Sequence, residues 1–306
     1  MIVVRLMGGL GNQMFQVAWG LRLAQHHRTR LYLDTSFLLD RTPQPDPTFV
    51  YRGYDLDVFE HSFRHRVPLT LARALARLRK KRVHDWMFRW ASRGLRHIRE
   101  RRVGLHPELL RELPNNCILD GYWQSIHYFA PIEGELKASY FRFRLPMSSE
   151  ALQLQEEISS VQSICINVRR TDFLTNSFHG AMGGDYFQEG VERLGATVSD
   201  PRIYIFSDDV EWCRDNLKFD HPTTVVDHTY QGFKFSTYLR LMASCRHFVI
   251  PNSTFAWWAA WLGNHPEKRV IAPRFWFNPE READFYGAKD FDREGRNLVP
   301  AEWERL

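Results

Sequence analysis

Side chains that could bind a charged ligand follow short apolar runs in the second half of the chain. These side chains belong to Arg169, Arg170, Asp172, Ser207, Asp208, Asp209, Asp227, Asn252, Ser253 and Thr254. Each apolar run is typical of a buried strand, and open α/β sheets bind ligands just beyond the carboxyl ends of their strands. We therefore expect guanidinium, carboxylate, hydroxyl and amide groups to converge on one crevice.

The segment NSTFAWWAAWL has the composition of a helix start. Asn252 or Ser253 suits the N-cap position, and the amides that follow carry the partial positive charge of a helix N-terminus. Such an end suits a diphosphate, although a plain structural cap would explain an isolated motif. For Trp257, Trp258 and Trp261 we expect packing onto the sheet rather than stacking on a ligand.

The arginine pair of the segment CINVRRTDF offers cations that never lose their charge. A guanidinium group binds phosphate oxygens in a two-pronged geometry. Because consecutive residues leaving a strand point to opposite faces, we expect only one of Arg169 and Arg170 to face the ligand. The other is expected to be structural and paired with Asp172.

The carboxylates of the segment YIFSDD allow two interpretations. Adjacent Asp208 and Asp209 could hold Mg²⁺ together with a diphosphate. Asp209 could equally lie in the first turn of a helix, where the helix dipole favours a carboxylate, and we favour this capping role. Asp208 would then be free to accept hydrogen bonds from a base or a ribose.

Three glycines, Gly8, Gly9 and Gly11, follow the first apolar run of the chain. A dinucleotide-binding fingerprint has a third glycine at the position where this chain has Met14. This difference argues against a nicotinamide cofactor, but the cofactor remains an alternative. The next two residues, Asn12 and Gln13, place uncharged amides at the mouth of the turn. Amides both donate and accept hydrogen bonds, so they suit a hydroxyl-rich or sugar-phosphate ligand.

Apolar and amphipathic runs alternate along the chain, which indicates an α/β fold with parallel doubly wound sheets. In the first half, Ile2–Leu6 and Arg30–Leu33 are predicted strands that flank a helix beginning near Asn12. In the second half, the predicted strands are Ser163–Val168, Arg202–Phe206, Thr223–Val226, His247–Ile250 and Arg269–Ile271, and the predicted helices are Asp185–Leu194, Asp209–Leu217, Phe235–Cys245 and Thr254–Leu262.

Two Rossmann-like domains facing across a cleft fit this alternation and the length of 306 residues. We place the two domains at residues 1–150 and 151–306, with the last residues free to pack back on the first domain. No apolar run is long enough to span a membrane, and the N-terminus lacks the features of a signal peptide, so we expect a cytoplasmic protein. The four cysteines are isolated, which favours buried free thiols over disulfides or zinc.

Four ordered motifs, GGLGNQMFQ, VRRTDF, YIFSDDVEWC and NSTFAWWAAWL, resemble those of the bacterial α-1,2-fucosyltransferases of glycosyltransferase family 11. The resemblance spans essentially the whole chain. It implies a GT-B-like pair of Rossmann-like domains and GDP-fucose as the donor. It further implies inverting transfer without a metal or other cofactor, usually to the 2-hydroxyl of a galactose in a glycan.

The same resemblance implies roles for individual residues. Arg169 would stabilise the leaving GDP, and Asp172 would orient an arginine or act as a base. The resemblance makes residues 1–150 the acceptor-side domain and residues 151–306 the donor-binding domain. The donor-binding residues that it implies are Gly9, Gly11, Asn12, Gln13, Asn167, Arg169, Ser253, Thr254 and Phe255. The residues at the predicted strand ends add Asp208, Asp227 and Asn252. Asn167 stands where many members have His, and its amide cannot take up a proton at neutral pH, so base catalysis is either slight or supplied elsewhere, with His179 as one alternative.

A strongly basic segment, residues 61–102, contains fourteen Lys and Arg residues against two carboxylates, a local balance of +12 in a chain of net charge +5. Leu71, Leu75 and Leu78 fall at helical spacing within it, so we expect one cationic amphipathic helix. Such a helix could contact an anionic inner membrane face, and a solvated surface helix is the alternative. No nucleic-acid-binding module is recognised, so we expect no nucleic-acid partner.

Three function classes remain open from the sequence. They are the fucosyltransferase, an NAD(P)-dependent oxidoreductase, and a non-catalytic sugar- or nucleotide-binding protein. For the acceptor, the sequence offers only Tyr122, Trp123 and Gln124, which we expect to be core residues instead.

Overall fold

The computed structural model describes residues 1–43, 49–101, 104–175, 180–277 and 295–306. The described residues form two compact units, an N-terminal unit that ends at Arg144 and a C-terminal unit that begins at Leu145. The cleft expected between two domains stays a prediction.

The N-terminal unit contains one parallel four-stranded sheet with the strand order β2-β1-β4-β3. Its first strand is completely buried from Ile2 to Val4, as its apolar sequence predicts. The elements of this unit are β1 (Ile2–Arg5), α1 (Leu10–His26), β2 (Leu31–Asp34), α2 (Leu69–Ala76), α3 (Lys81–Ser92), β3 (Arg96–Arg99), α4 (Pro107–Glu112), β4 (Cys117–Asp120) and α5 (Glu133–Glu135).

The basic segment forms two helices, α2 and α3, where a single amphipathic helix was predicted. Leu71 and Leu78 are 46% and 55% exposed, and Leu78 lies beyond the end of α2. The buried side of α2 consists of Ala72 and Ala76, and Leu75 packs against the same small cluster. The three leucines therefore do not share one environment.

The C-terminal unit contains a parallel six-stranded sheet with the order β10-β9-β8-β5-β6-β7. This is the strand order of the Rossmann fold, so the predicted α/β class is confirmed. The elements of this unit are α6 (Ser149–Ser160), β5 (Gln162–Val168), α7 (Thr171–Thr175), α8 (Gly184–Gly195), β6 (Pro201–Ser207), α9 (Val210–Asn216), β7 (Thr223–Val226), α10 (Ser236–Ala243), β8 (His247–Val249), α11 (Thr254–Leu262), β9 (Val270–Ala272) and β10 (Glu304–Arg305).

Every strand and helix predicted for the second half is present, and no boundary differs by more than two residues. Glu304 and Arg305 pair with β9 as the edge strand of the C-terminal sheet. The expected packing of the last residues on the first domain stays a prediction. The four cysteines are buried free thiols, as predicted.

The direction in which strands are added to the C-terminal sheet reverses between β5 and β8, which are direct neighbours. In open α/β sheets the connections on either side of such a reversal diverge and leave a crevice for a ligand. The chain that leaves β5 carries Arg169, and the chain that leaves β8 leads into α11. The fold therefore brings the two predicted anion-binding segments to the exits of adjacent strands.

Candidate functional site

Arg169 is held by two carboxylates directly after β5. Its Nη2 lies 2.6 Å from Asp172 Oδ1, and its Nη1 lies 3.1 Å from Asp208 Oδ2. Asp172 is in place because α7 begins at Thr171 and carries it one turn beyond the arginine. A guanidinium has five N–H donors, so these contacts leave donors for phosphate oxygens.

Arg170 has a structural environment. Its Nε lies 3.5 Å from Asp209 Oδ2, and its guanidinium carbon lies 3.8 Å from the centre of the Trp212 ring. The two arginines thus have different surroundings, as predicted. The predicted pairing of Asp172 with the structural arginine is wrong. Asp172 pairs with Arg169, and Arg170 pairs with Asp209.

Asp208 is engaged by three groups of the protein, and its expected contact with a base or ribose stays a prediction. It accepts hydrogen bonds from the backbone N–H of Arg170 at 2.9 Å and from the hydroxyl of Thr171 at 2.7 Å, besides its ion pair with Arg169. Its carboxylate therefore ties the exit of β6 to the exit of β5. Asp209 caps α9 by accepting a hydrogen bond from the backbone N–H of Trp212, which confirms its predicted role.

The N-terminus of α11 presents its first amides without a side-chain cap among the described residues. Ser253 occupies the N-cap position with an extended backbone, but its side chain makes no capping hydrogen bond. Thr254 and Phe255 are partly exposed at the start of the helix. Orphan amides and the helix dipole together make such an end suited to an anion.

The tryptophan side of α11 is core, as predicted, since Trp257 and Trp258 are fully buried. Asn252 is also buried and donates a hydrogen bond from Nδ2 to the carbonyl oxygen of Trp276 at 3.1 Å. We therefore assign Asn252 to the support of the loop, whereas its predicted contact with the donor stays a prediction.

Asn167 is buried in β5, and its two amide atoms differ in their surroundings. Nδ2 donates to the carbonyl oxygen of Phe206 at 3.1 Å, whereas Oδ1 is buried with no hydrogen-bond partner among the described residues. An unpaired buried carbonyl is costly unless a ligand or water completes it.

Asp227 caps the short helical turn after β7. It accepts hydrogen bonds from the backbone N–H and the hydroxyl of Thr229. These bonds lower the pKa of its carboxyl group. The alternative base, His179, lies outside the described residues.

The glycine turn closes tightly around Asn12. Gly8 has φ +72°, and a Cβ at that position would overlap the side-chain nitrogen of Asn12. Gly9 is the N-cap of α1, and Gly11 lies inside its first turn. The Oδ1 atom of Asn12 accepts a hydrogen bond from Gln124 Nε2 at 2.8 Å.

Gln13 is a structural residue, which corrects its assignment to the donor. Its side chain is completely buried. Nε2 donates to the carbonyl oxygens of Gly8 and Gly53 at 2.9 and 2.8 Å, and Oε1 accepts from the backbone N–H of Asp55 at 3.0 Å. Both donors and the carbonyl are therefore already used.

The carboxyl edge of the N-terminal sheet carries charged residues that the motifs did not indicate. Arg5 Nη1 lies 3.3 Å from Asp120 Oδ1, and its guanidinium stacks on Phe88 of α3. Glu100 is buried and accepts hydrogen bonds from two backbone N–H groups of the loop after β4. Charged residues at strand exits are the one signal that could have identified them. Trp123 and Gln124 are buried, as predicted, whereas Tyr122 is only partly buried.

None of the helices in the described part of the chain has the length and apolar character that a bilayer crossing requires. Within the same residues, no group of three or more His, Cys, Asp or Glu side chains could hold a metal ion.

Comparisons with known proteins point to one family. The family described as Glycosyl transferase family 11 matches residues 63–291. An α-1,2-colitosyltransferase of Escherichia coli is 26% identical over 93% of this chain and 95% of its own length. The O-antigen biosynthesis glycosyltransferase WbnK of Escherichia coli is 27% identical over 89% of this chain and 93% of its own length. Among solved structures, NodZ α-1,6-fucosyltransferase soaked with GDP-fucose has 17% identity and a TM-score of 0.46, over 88% of this chain and 93% of that chain.

Proposed function

Because this chain belongs to glycosyl transferase family 11 and is therefore a glycosyltransferase, we propose that it transfers L-fucose from GDP-fucose to the 2-hydroxyl of a galactose. The galactose belongs to an oligosaccharide or a lipid-linked glycan, and transfer inverts the anomeric centre without a metal. The α-1,2 linkage is supported by the name of one bacterial relative. Family membership removes the oxidoreductase alternative.

One observation carries this proposal. Arg169, clamped by Asp172 and Asp208, leaves β5 beside β8, whose exit leads to the uncapped amides of α11. The guanidinium and the amides are both preorganised donors for a diphosphate, and neither needs an ion to act.

In the proposed reaction the bond between the fucose anomeric carbon and the β-phosphate oxygen breaks, and the galactose 2-hydroxyl attacks that carbon from the opposite face. Arg169 stabilises the negative charge that develops on the departing phosphate. The hydroxyl proton is lost late and passes to water, because an oxocarbenium-like sugar reacts with a weakly activated hydroxyl and needs no strong base. Asp172 serves mainly to orient Arg169.

The test is an assay of GDP release from GDP-fucose with lactose as acceptor, in the presence of EDTA. Arg169→Ala is expected to reduce turnover by about 10²–10³-fold, the usual effect of losing one preorganised donor. Arg202→Ala is the matched control, because this exposed arginine lies at the amino end of the same sheet. Full activity of Arg169→Ala, or an absolute need for Mg²⁺, would overturn the assigned mechanism.

A second donor belongs in the same assay, because one relative is a colitosyltransferase. Colitose is fucose without its 3-hydroxyl, so the two donors test whether the site uses that hydroxyl. A higher kcat/KM with GDP-fucose supports fucose as the natural sugar. A higher kcat/KM with GDP-colitose would mean that colitose is the natural sugar, and the proposed role of Arg169 would be unchanged.

The proposal extends to peripheral contact with an anionic membrane through the basic segment. In α3, Trp86 and Trp90 are 48% and 41% exposed. Arg82 and Arg89 are exposed on the side of α3 opposite the buried Met87 and Ala91, and the exposed Arg93 directly follows the helix. Exposed tryptophans between cations suit the interface of a bilayer that carries negative headgroups.

Sedimentation with vesicles tests this contact. We expect retention on phosphatidylglycerol vesicles at low salt, release at high salt, and little retention on phosphatidylcholine. The double variant R82Q/R89Q should weaken partitioning by about 10- to 100-fold, given about 1 kcal/mol per basic residue near the surface. Leu152→Ala, which removes an exposed leucine of the C-terminal unit, is the control. Equal retention of both variants would contradict the assignment.

A further inference from the structure

The loop after β4 is held in place by one buried carboxylate. Glu100 follows β3, and its carboxylate accepts hydrogen bonds from the backbone N–H groups of Tyr122 at 2.6 Å and Trp123 at 3.1 Å. Gly121 permits this approach, since a Cβ there would overlap the Glu100 side chain. Trp123 is fully buried with φ +56°, so the loop backbone is constrained on both sides of its bend.

The last residue of this loop, Gln124, forms a hydrogen bond with Asn12. Gln124 is buried, and its Nε2 donates to Asn12 Oδ1 at 2.8 Å. The terminal torsion of an asparagine amide is broad and roughly two-fold, so a single donor decides which way its oxygen and nitrogen point. With Oδ1 committed to Gln124, the Nδ2 donors of Asn12 point away from it.

The connection lies at the reversal point of the N-terminal sheet. β1 and β4 are direct neighbours there, with β2 outside β1 and β3 outside β4. Asn12 follows the exit of β1, Gln124 follows the exit of β4, and Glu100 follows the exit of β3. The three residues therefore join three of the four strand exits at the edge where a parallel sheet binds its ligands.

We propose that Gln124 and Glu100 are positioning residues that direct the Asn12 amide donors at a hydroxyl of a sugar bound at this edge of the N-terminal sheet. The inference rests on the proposed function, since it requires a sugar donor or acceptor at this edge. It assigns to the glycine turn the role of making room for a directed hydrogen-bond donor, because Gly8 leaves space for the Asn12 side chain.

A double-mutant cycle tests the coupling. Gln124→Leu removes one neutral hydrogen bond, so we expect a loss of about 2- to 10-fold in kcat/KM. Asn12→Ala should cost at least as much. If Gln124 acts through Asn12, adding Gln124→Leu to Asn12→Ala should produce no further loss. The same fold loss in both backgrounds, or full activity of Asn12→Ala, would overturn the proposal.

Two further variants separate positioning from stability. Gln124→Glu keeps the size of the side chain but can only accept, so Asn12 must turn its Nδ2 inward and its carbonyl outward. We expect reduced kcat/KM at an unchanged Tm. Gln155→Leu, which removes a 2.8 Å bond from a glutamine amide to Ser244 in the C-terminal unit, is the matched control and should keep full activity.

The cycle is measured with each GDP-sugar that the wild type turns over. A failure of fucose as the donor would then change only the substrate, and the coupling between Gln124 and Asn12 would still be measured. If the wild type turns over normally but the cycle shows no coupling between Gln124 and Asn12, only the positioning role is contradicted and the proposed function is not. Wild-type activity in Gln124→Glu would do the same.

Discussion

Carboxylates surround the two arginines after β5, and each has a different task at the scale of single residues. Asp172 and Asp208 hold Arg169, whereas Asp209 caps α9 and pairs with Arg170. The guanidinium of Arg169 is therefore oriented before a ligand arrives. Preorganisation of this kind lets a charged donor act in the transition state without first rearranging.

A substitution of Asp208 should separate orientation from charge attraction. Asp208→Asn weakens the clamp on Arg169 and also removes a carboxylate that competes with phosphate. We expect kcat to fall about tenfold, since a hydrogen bond to a charged group contributes about 1.5–3 kcal/mol, while GDP binds at least as tightly. Asp209→Asn is the control, because asparagine caps a helix as well as aspartate does. Steady-state kinetics and GDP titration provide the measurements, and weaker GDP binding by Asp208→Asn would contradict the argument.

Glu100 should make stability depend on pH in a defined direction. Burial raises the pKa of its carboxyl group from 4.5 to about 7. A raised pKa means that the folded protein binds the proton more readily than the unfolded chain, so this contribution is complete below pH 4.5 and is lost as pH rises through 7. Between these limits, the free energy of unfolding should fall by about 3 kcal/mol more in the wild type than in Glu100→Gln. Urea denaturation across pH measures this difference, and parallel curves would refute it.

At the scale of elements, both candidate regions lie where a strand leads into the start of a helix. The turn between β1 and α1 and the turn between β8 and α11 lack side-chain caps among the described residues. The two turns differ in how they close. Gly8 uses a left-handed backbone, whereas Ser253 is extended.

The glycine turn offers a matched pair of substitutions one residue apart. Gly8→Ala should lower Tm by several degrees and reduce activity, because φ +72° disfavours a side chain and the new Cβ would displace Asn12. Gly9→Ala should leave Tm nearly unchanged, because a Cβ there meets no atom within 4 Å of the described structure. Calorimetry of both variants checks the contrast, which equal Tm values would contradict.

At the scale of the whole molecule, the candidate functional features lie in two units with separate sheets. The C-terminal unit carries the candidate diphosphate site, and the N-terminal unit carries the basic helices and the amide of Asn12. The division also separates charge, since the +12 segment lies within the N-terminal unit. The proposed nucleotide site and the proposed membrane-binding surface thus belong to different units.

Hydrogen–deuterium exchange tests that assignment. GDP, added with EDTA, should protect the amides after β5 and in the first turn of α11. At a concentration 100 times its Kd, a ligand stabilises the native state by about 2.7 kcal/mol. Arg169→Ala should show much weaker protection at the same GDP concentration. Protection confined to the N-terminal unit would refute the location of the donor site.

The sequence alone determined the order and, within two residues, the bounds of five strands and four helices in the C-terminal unit, whereas α6, α7 and β10 were not predicted. Apolar runs, glycines and capping residues act through residues that are close in sequence, so they can be interpreted before the tertiary structure is known. The cap formed by Asp209 and the burial of Trp257 and Trp258 followed from the same local rules.

Only the tertiary structure decided which strand exits are neighbours and which polar groups are already used. Asp208 and Gln13 have the types and positions of ligand-binding residues, yet atoms of distant segments satisfy them. The basic segment forms two helices where one was predicted, and Gln124 reaches Asn12 across 112 residues of sequence. A hydrogen bond or a packed surface depends on the position of its partner in space, and for distant segments that position exists only once the sheets have formed.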